Sequence, residues 1–350
     1  MERKQNNLLG IFRFSIFLTV ILAGVTFWQL SWQGLWLFFV LLILEVTFSF
    51  DNAVVNSRTL ASMSLIWQRI FLTVGIFIAV FAVRFLLPIV IVIFASGLNF
   101  GDVVSMALNN PESYSHVLHN ASPMINAFGG IFLLMIGLSY FVDYNKQIHW
   151  VRGVEPWLAR AGKFENFRAC LILLVMVILY FTVEEKYKAM ILISSVLGTL
   201  LHIGLELFGS LFSSHSSKDI KLKTGWAAFA TFLYLEVLDA SFSFDGVIGA
   251  FAITSSVILI TSGLSAGAIW VRSLTIYLMR SGTLSKYRYL EHGAHWAIVA
   301  LGIMMLFKLF HVELPEWITG SLGLAFIILA IGSSVIEARH AKNTKNLQSS

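Results

Sequence analysis

The stretches LEVTFSFDNAVVN (44–56) and LEVLDASFSFDGVIGA (235–250) share the tetrapeptide FSFD within otherwise apolar sequence. Each copy places an aspartate, Asp51 or Asp245, in a segment apolar enough to be withdrawn from water. On insertion scales a charged residue at the centre of a bilayer costs about 2.5–3.5 kcal/mol, so its presence there indicates a functional role. The repeated motif therefore predicts both a membrane environment and the position of a site within it.

The likeness between the two halves extends beyond the motif. In the first half, the next apolar segment contains the dipeptide Val83-Arg84. The corresponding segment of the second half contains Val271-Arg272. One segment further along, GGIFLLMIGL (129–138) resembles ALGIMMLFKL (300–309). Three consecutive apolar segments are therefore predicted to be duplicated.

The composition excludes a soluble globular fold. Of the 350 residues, 57% are hydrophobic even without the 25 glycines, and only 12% are charged. A soluble domain is about 45–50% apolar and about 25% charged, because charge must cover its water-facing surface. We expect an all-α, polytopic transmembrane helix bundle whose solvent is the lipid bilayer.

About ten spans are predicted, because ten windows approach the 20 or so residues that cross a hydrocarbon core of about 30 Å. The fifth window is the shortest and predicts either a full crossing or half of a re-entrant pair. The windows are 9–30, 35–57, 69–95, 124–142, 168–183, 188–212, 225–249, 256–280, 292–310 and 316–337. The motifs fall in the second and seventh windows. A shift of five spans, an odd number, predicts an inverted three-helix repeat, a plan that many secondary transporters use.

The predicted spans and repeat divide the chain into five parts. They are an N-terminal span and flank (1–34), a first repeat (35–142), a cytoplasmic loop with two linking spans (143–224), a second repeat (225–310), and a last span with a cytoplasmic tail (311–350). Most of the 24 Lys and Arg residues fall in one alternating set of loops. The positive-inside rule then predicts that both termini are cytoplasmic, in the bacterial inner membrane. Because topology explains the net charge of +5, a nucleic-acid partner is not expected.

Six acidic residues lie within the predicted spans, against two arginines, Arg84 and Arg272. For any one acid, the alternatives are a buried ion pair or a protonated acid that is hydrogen-bonded between helices. All six cannot be paired with two arginines, so the excess predicts protonation or a bound cation. The six acids are Glu45, Asp51, Glu206, Glu236, Asp239 and Asp245.

Helical geometry divides the motif residues into two sets. On an ideal helix Glu45, Ser49 and Asn52 share one face, as do Asp239, Ser243 and Gly246 in the second copy. Each motif aspartate lies about 120° from the acid six residues before it, so bringing both to one place requires local unwinding. Asn, Asp and Gly favour such unwinding. We therefore expect two broken helices that face one another.

The groups on offer are carboxylates, an amide, hydroxyls and carbonyls, a hard-oxygen set that suits Mn²⁺, Mg²⁺ or Ca²⁺. Proton coupling is a further prediction, because an acid without its metal in a low-dielectric site favours the protonated form. The predicted metal ligands are Glu45, Ser49, Asp51, Asn52, Glu236, Asp239, Ser243 and Asp245.

The histidines carry weaker signals. His202 and Glu206, one helical turn apart, predict either a second metal or proton site or a buried hydrogen-bonded pair. His292 and His295 are expected at the membrane interface. No histidine or lysine stands beside either motif serine to act as a base, so we expect neither catalysis nor a permanently bound cofactor.

These residues resemble the TerC family of bacterial integral membrane proteins. The resemblance covers roughly 35–310, and FLYLEVLDASFSFDGVIGAFAIT (232–254) is especially similar to the branch of unknown function in that family. It implies a role in tellurium resistance or manganese export within the wider superfamily of LysE-type transporters. The family's acidic positions correspond to residues already singled out above. Gly246 departs from the better-studied branch, where many relatives carry Ser, and this leaves the substrate open.

The leading hypothesis is an exporter that moves a divalent cation through an acidic site between the two motifs, and Mn²⁺ is the favoured ion. Arg84 and Arg272 are predicted to act as counter-ions of the empty site that swing away when metal binds. The alternative is a non-transporting membrane scaffold of a metal or tellurite stress-resistance system, which recruits soluble partners through the cytoplasmic loop 143–168.

Overall fold

The computed structural model describes residues 9–164, 166–212, 222–312 and 316–348. Within these ranges the chain is helical with no strand, apart from an isolated bridge between Met63 and Lys223. The helices are α1 (Arg13–Phe48), α2 (Phe50–Ala61), α3 (Leu65–Phe77), α4 (Leu87–Ser96), α5 (Phe100–Asn109), α6 (Pro111–Asn120), α7 (Ser122–Phe141), α8 (Val154–Ala161), α9 (Phe167–Thr182), α10 (Lys188–Phe212), α11 (Gly225–Ile253), α12 (Val257–Arg280), α13 (Thr283–Lys286), α14 (Leu290–Lys308) and α15 (Glu316–Gln348). The predicted all-α fold is confirmed.

Eight helical segments of the described chain are long and apolar enough to cross a membrane. They are Gly10–Phe48, Leu65–Ser96, Ser122–Phe141, Glu185–Leu211, Gly225–Phe251, Val257–Arg280, Leu290–Lys308 and Ser321–His340. Large apolar side chains such as Trp28, Phe94 and Leu211 are at least three-quarters exposed on the outer faces of these segments. Such surfaces match a lipid solvent rather than water, so the chain is a multi-pass membrane protein.

The helix α1 reverses direction at Ser31, which has a non-helical backbone with φ of 57° and ψ of −157°. On the N-terminal side of this point, Ser15 lies 2.7 Å from the Ser273 hydroxyl of α12. On the other side, the Cβ of Glu45 lies close to Gly267 of the same helix. The two arms of α1 thus form a hairpin against α12, and Ser31 separates the predicted windows 9–30 and 35–57.

The helix α9 has 16 residues and is about 24 Å long at the usual rise of 1.5 Å per residue. It is therefore shorter than the hydrocarbon core of about 30 Å. A short turn over Glu185–Tyr187 joins it to α10.

The first motif is broken as predicted, because α1 ends at Phe48, Ser49 is non-helical, and α2 begins at Phe50. The prediction of a break in the second motif is wrong: α11 runs without interruption from Gly225 to Ile253. The difference follows from spacing. Glu236 and Asp239 are three residues apart, so an intact helix presents both on one face, whereas Glu45 and Asp51 are six apart and need the break at Ser49.

Candidate functional site

Arg84 lies in a π-helical segment, Ile78–Leu86, that joins α3 to α4. Helical turns of this kind often mark functional sites, since the extra residue displaces a side chain from the regular face. The buried guanidinium donates to the Ala79 carbonyl oxygen at 2.9 Å and to the carboxylate of Glu45. The Ser49 hydroxyl donates to the same carboxylate at 3.1 Å. The break at Ser49 therefore supports the ion pair between Glu45 and Arg84.

Arg272 holds two acids of α11. Its guanidinium lies 2.9 and 2.7 Å from the two carboxylate oxygens of Glu236 and 3.1 Å from Asp239. The guanidinium also donates to the carbonyl oxygen of Phe71 at 3.1 Å. Its central carbon lies 4.2 Å from the centre of the phenyl ring of the same residue. Gly75 lets α3 approach, because a Cβ there would lie 2.3 Å from the guanidinium. Both arginines are at most 3% exposed, so the ion pairs are formed away from water.

The two motifs meet through an amide. The side chain of Asn52 donates to Asp239 at 2.7 Å across 187 positions of sequence. Asp239 thus receives Asn52 from the first motif and Arg272 from its own half. Through Asn52 and Arg272, this contact links three of the predicted ligands, which are Asn52, Asp239 and Glu236.

Asp51 lies in the first turn of α2 and is buried at 3% exposure. No Lys, Arg or His of the described residues forms an ion pair with it, and the backbone amides of Asp51 and Asn52 are its hydrogen-bonding neighbours. The positive end of the α2 dipole favours its charge. Asp51 is thus the described acid of the two motifs that lacks an arginine.

A small cavity of about 30 Å³, here called the acidic cavity, lies between Glu45 and Asp51. Ser49, Gly246 and Gly323 also line it. A Cβ at Gly246 would lie 3.4 Å from a carboxylate oxygen of Glu45, and one at Gly323 would lie 3.4 Å from the carboxyl carbon of Asp51. The two glycines therefore leave room beside each carboxylate. A volume of this size is close to the share of one water molecule, so it also suits one small ion.

Gly323 belongs to α15, a helix outside both predicted repeats. Sequence reasoning missed it, because a glycine in an apolar helix carries no signal of its own. From the sequence, Gly246 is placed on the face of Asp239 and Ser243 and noted as a departure from relatives, without any indication of a cavity there. Both become interpretable once packing places them against the carboxylates.

Several buried oxygens near the motifs have no hydrogen-bond partner among the described residues. They are Oδ1 of Asn52, Oδ1 of Asn56 and the hydroxyls of Ser243 and Ser265. A buried polar atom without a partner costs about 1–3 kcal/mol, so it calls for a partner such as water or a cation.

The described side chains do not complete a metal centre by themselves. Among them, no group of three or more His, Cys, Asp or Glu is arranged to hold a metal ion. The predicted ligand Asp245 lies on α11 next to Gly246, but its side chain is outside the described part of the structure. The acidic cavity thus offers two described carboxylates, with Asp245 on the adjoining helix.

His202 and Glu206 are within 3.5 Å of one another on α10. The guanidinium of Arg168 lies 2.9 Å from Glu206, and the Ser139 hydroxyl lies 3.1 Å from His202. In the sequence analysis, Arg168 falls at the end of the predicted loop 143–168. The charge of Arg168 compensates Glu206. His202, Glu206, Arg168 and Ser139 therefore form a hydrogen-bonded cluster where α10 meets the start of α9, and none of them lines the acidic cavity.

A further buried acid, Glu155 on α8, carries no signal in the sequence analysis. It is 1% exposed and accepts hydrogen bonds from the Trp150 amide at 2.7 Å, the Trp296 indole at 2.8 Å and His292 at 2.8 Å. Burial alone would raise the pKa of Glu155, but the hydrogen bonds outweigh burial and hold its pKa at about 2. His292 and His295, in the first turns of α14, are both buried, and His295 stacks on Tyr140 at 3.6 Å. Glu155 docks the loop 143–168 onto α14.

Fold and site together define a multi-pass helical membrane protein with paired arginine and carboxylate clusters buried among its spans. Residues 50–341 match the family described as "Protein of unknown function (DUF475)", so the chain belongs to that family. Searches of curated proteins and of solved structures gave no match.

Proposed function

We propose that this protein exports a divalent metal cation, with Mn²⁺ as the probable ion, through the acidic cavity. The observation that carries the proposal is Asp51, a buried carboxylate that forms no ion pair with a described arginine. It shares a cavity with Glu45 at the break between helices α1 and α2. Unwound backbone that lines a cavity is typical of ion sites in transporters. The resemblance to the TerC family, with its manganese exporters and tellurium resistance, supports the same proposal.

The proposed architecture has ten crossings. The hairpin at Ser31 supplies two of them, and α9 crosses with the bilayer thinned around it. The two motif halves then form an inverted repeat, and alternating access moves one half against the other. Both termini lie in the cytoplasm of a bacterial inner membrane, and protons exchange with the metal on the acids.

A non-transporting scaffold is the second candidate. It is favoured by the loop 143–168, where Tyr144, Trp157 and Phe164 are each more than half exposed while Glu155 anchors the loop to α14. Exposed aromatic side chains on an anchored loop suit a soluble partner.

Cell-associated manganese, iron, zinc, calcium and magnesium distinguish the two candidates. A metal-loaded strain that lacks the gene is complemented with wild type, Asp51→Asn, Asp245→Asn or Glu185→Gln at matched membrane levels. Glu185 is an exposed acid in the turn before α10 and serves as the control for the same chemical change. The exporter predicts that wild type and Glu185→Gln lower one metal and that both motif variants fail. If no complemented strain differs from the deletion for any metal, the exporter is wrong and the scaffold is preferred.

A further inference from the structure

A second, much larger cavity of about 1220 Å³ lies at one end of the bundle. One basic residue from each of four separate segments lines it: Arg58 after the first motif, Lys146, Lys223 before α11, and Arg288 before α14. We call it the basic cavity. The positive-inside rule requires basic residues in the loops of one side, but it does not require that they line one cavity.

Two of these four cations are already neutralised. Arg58 forms an ion pair with Glu291, and Arg288 lies 2.7 Å from Glu337. Of the two acids on the cavity wall, Glu291 is therefore engaged, and Asp143 accepts a hydrogen bond from the amide of Asn145 at 2.9 Å.

Lys146 and Lys223 remain without an acid in contact. The ammonium of Lys146 lies over the ring of Tyr140 and donates to its carbonyl oxygen at 3.2 Å, while Lys223 donates to the Thr231 hydroxyl at 3.1 Å. Among the described residues, neither ammonium forms an ion pair with a carboxylate. Glu155 and Asp143 act on Lys146 at longer range, and the two lysines together with Asp143 leave a net positive charge on the cavity wall.

Lys146 is half-buried, whereas Lys223 is an exposed residue whose ammonium group lies against Thr231. Burial lowers the pKa of Lys146 to about 7 and also lowers the pKa of Lys223. Partial burial disfavours the charged form of Lys146, and an anion that enters the cavity would stabilise that charge. The hydroxyl of Tyr234 on the same wall is an additional hydrogen-bond donor, whereas the Ser62 hydroxyl already donates to the Thr59 carbonyl oxygen at 2.7 Å.

We propose that the basic cavity binds a phosphate-class anion between Lys146 and Lys223, either as free phosphate or as the headgroup of an anionic phospholipid. A group with several acceptor oxygens satisfies two ammonium groups and neighbouring hydroxyls together. The cavity opens at the end of the bundle and is wide enough for a headgroup. This binding site is separate from the acidic cavity and does not depend on metal export.

The test uses the full-length protein in lipid nanodiscs. In the first arm, binding of radiolabelled inorganic phosphate is measured in neutral phosphatidylcholine discs. In the second arm, discs contain phosphatidylglycerol, and lipid that remains bound after detergent extraction is quantified by native mass spectrometry. The first arm identifies free phosphate and the second identifies a headgroup.

The variants are Lys146→Gln with Lys223→Gln, and Lys186→Gln as the control, because Lys186 is an exposed lysine that pairs with Glu184 elsewhere. The double variant should bind the anion at least tenfold more weakly, and Lys186→Gln should bind it as wild type does. Wild type that binds neither probe, or a double variant with unchanged affinity, would overturn the proposal.

A measurement on wild type alone covers the case in which the double variant does not fold. Amine-reactive labelling is compared with and without the anion that bound, and labelled peptides are quantified by mass spectrometry. Protection of Lys146 and Lys223, with Lys186 unprotected, supports the site. Equal labelling of all three lysines in both conditions contradicts it.

Discussion

Replacement of Arg272 by methionine should destabilise the protein by about 3–5 kcal/mol, the usual cost of removing one partner of a buried ion pair. The side chain is 2% exposed and compensates both Glu236 and Asp239, so its loss leaves two buried acids that must bind protons to be accommodated. Methionine fills a similar volume against Phe71, which separates the loss of charge from the loss of packing.

The structure also specifies a rescue. In the triple variant Arg272→Met, Glu236→Gln, Asp239→Asn, no charge remains at this place, and the new amide of residue 239 still accepts from Asn52. Replacing a buried ion pair with neutral groups is often neutral or stabilising, so the triple variant should recover most of the loss.

The assay is reversible unfolding in micelles that mix a mild and a denaturing detergent. The free energy of unfolding is extrapolated to the mild detergent alone. Lys186→Met, at an exposed pair, should change this free energy by no more than about 1 kcal/mol. The reasoning is refuted if Arg272→Met costs less than about 1 kcal/mol, or if the triple variant is as unstable as the single one.

Three further predictions concern other parts of the molecule. Gly323→Ala should fold normally and weaken metal binding about tenfold, because its methyl group would contact a carboxylate of the acidic cavity; Gly332→Ala, on the same helix with open space around it, should bind as wild type by calorimetry. Arg84→Gln should raise metal affinity and make it more dependent on pH, since protons replace the guanidinium as competitor, and unchanged affinity with an unchanged pH profile would show that Arg84 is not a counter-ion. The docking of loop 143–168 should be complete above about pH 4.5 and weaken as the pH falls towards 2, because the pKa of Glu155 is lowered from 4.5 to about 2 in the folded state. The fluorescence of Trp157 and proteolysis of the loop follow this change, and Glu155→Gln should leave the loop undocked at every pH; a loop that stays protected in that variant contradicts the role of the carboxylate.

The sequence by itself determined the environment and the local elements. Composition alone requires a bilayer, because 12% charge cannot cover a water-facing surface. The break at Ser49 and its hydrogen bond to Glu45 also follow from near neighbours in the chain, since they depend on helical spacing and on residues that compete for backbone hydrogen bonds.

Only the tertiary structure decided which charges meet. Arg168 had the sequence context of a loop residue, yet packing brings it to Glu206, and Glu155 reaches Trp296 across 141 positions. Likewise, nothing in α15 marks Gly323 as a wall of the acidic cavity. Spans and breaks arise from neighbours within a few residues, whereas ion pairs and cavity walls arise from the angles and distances at which whole helices pack, and one sequence without its packing does not contain them in readable form.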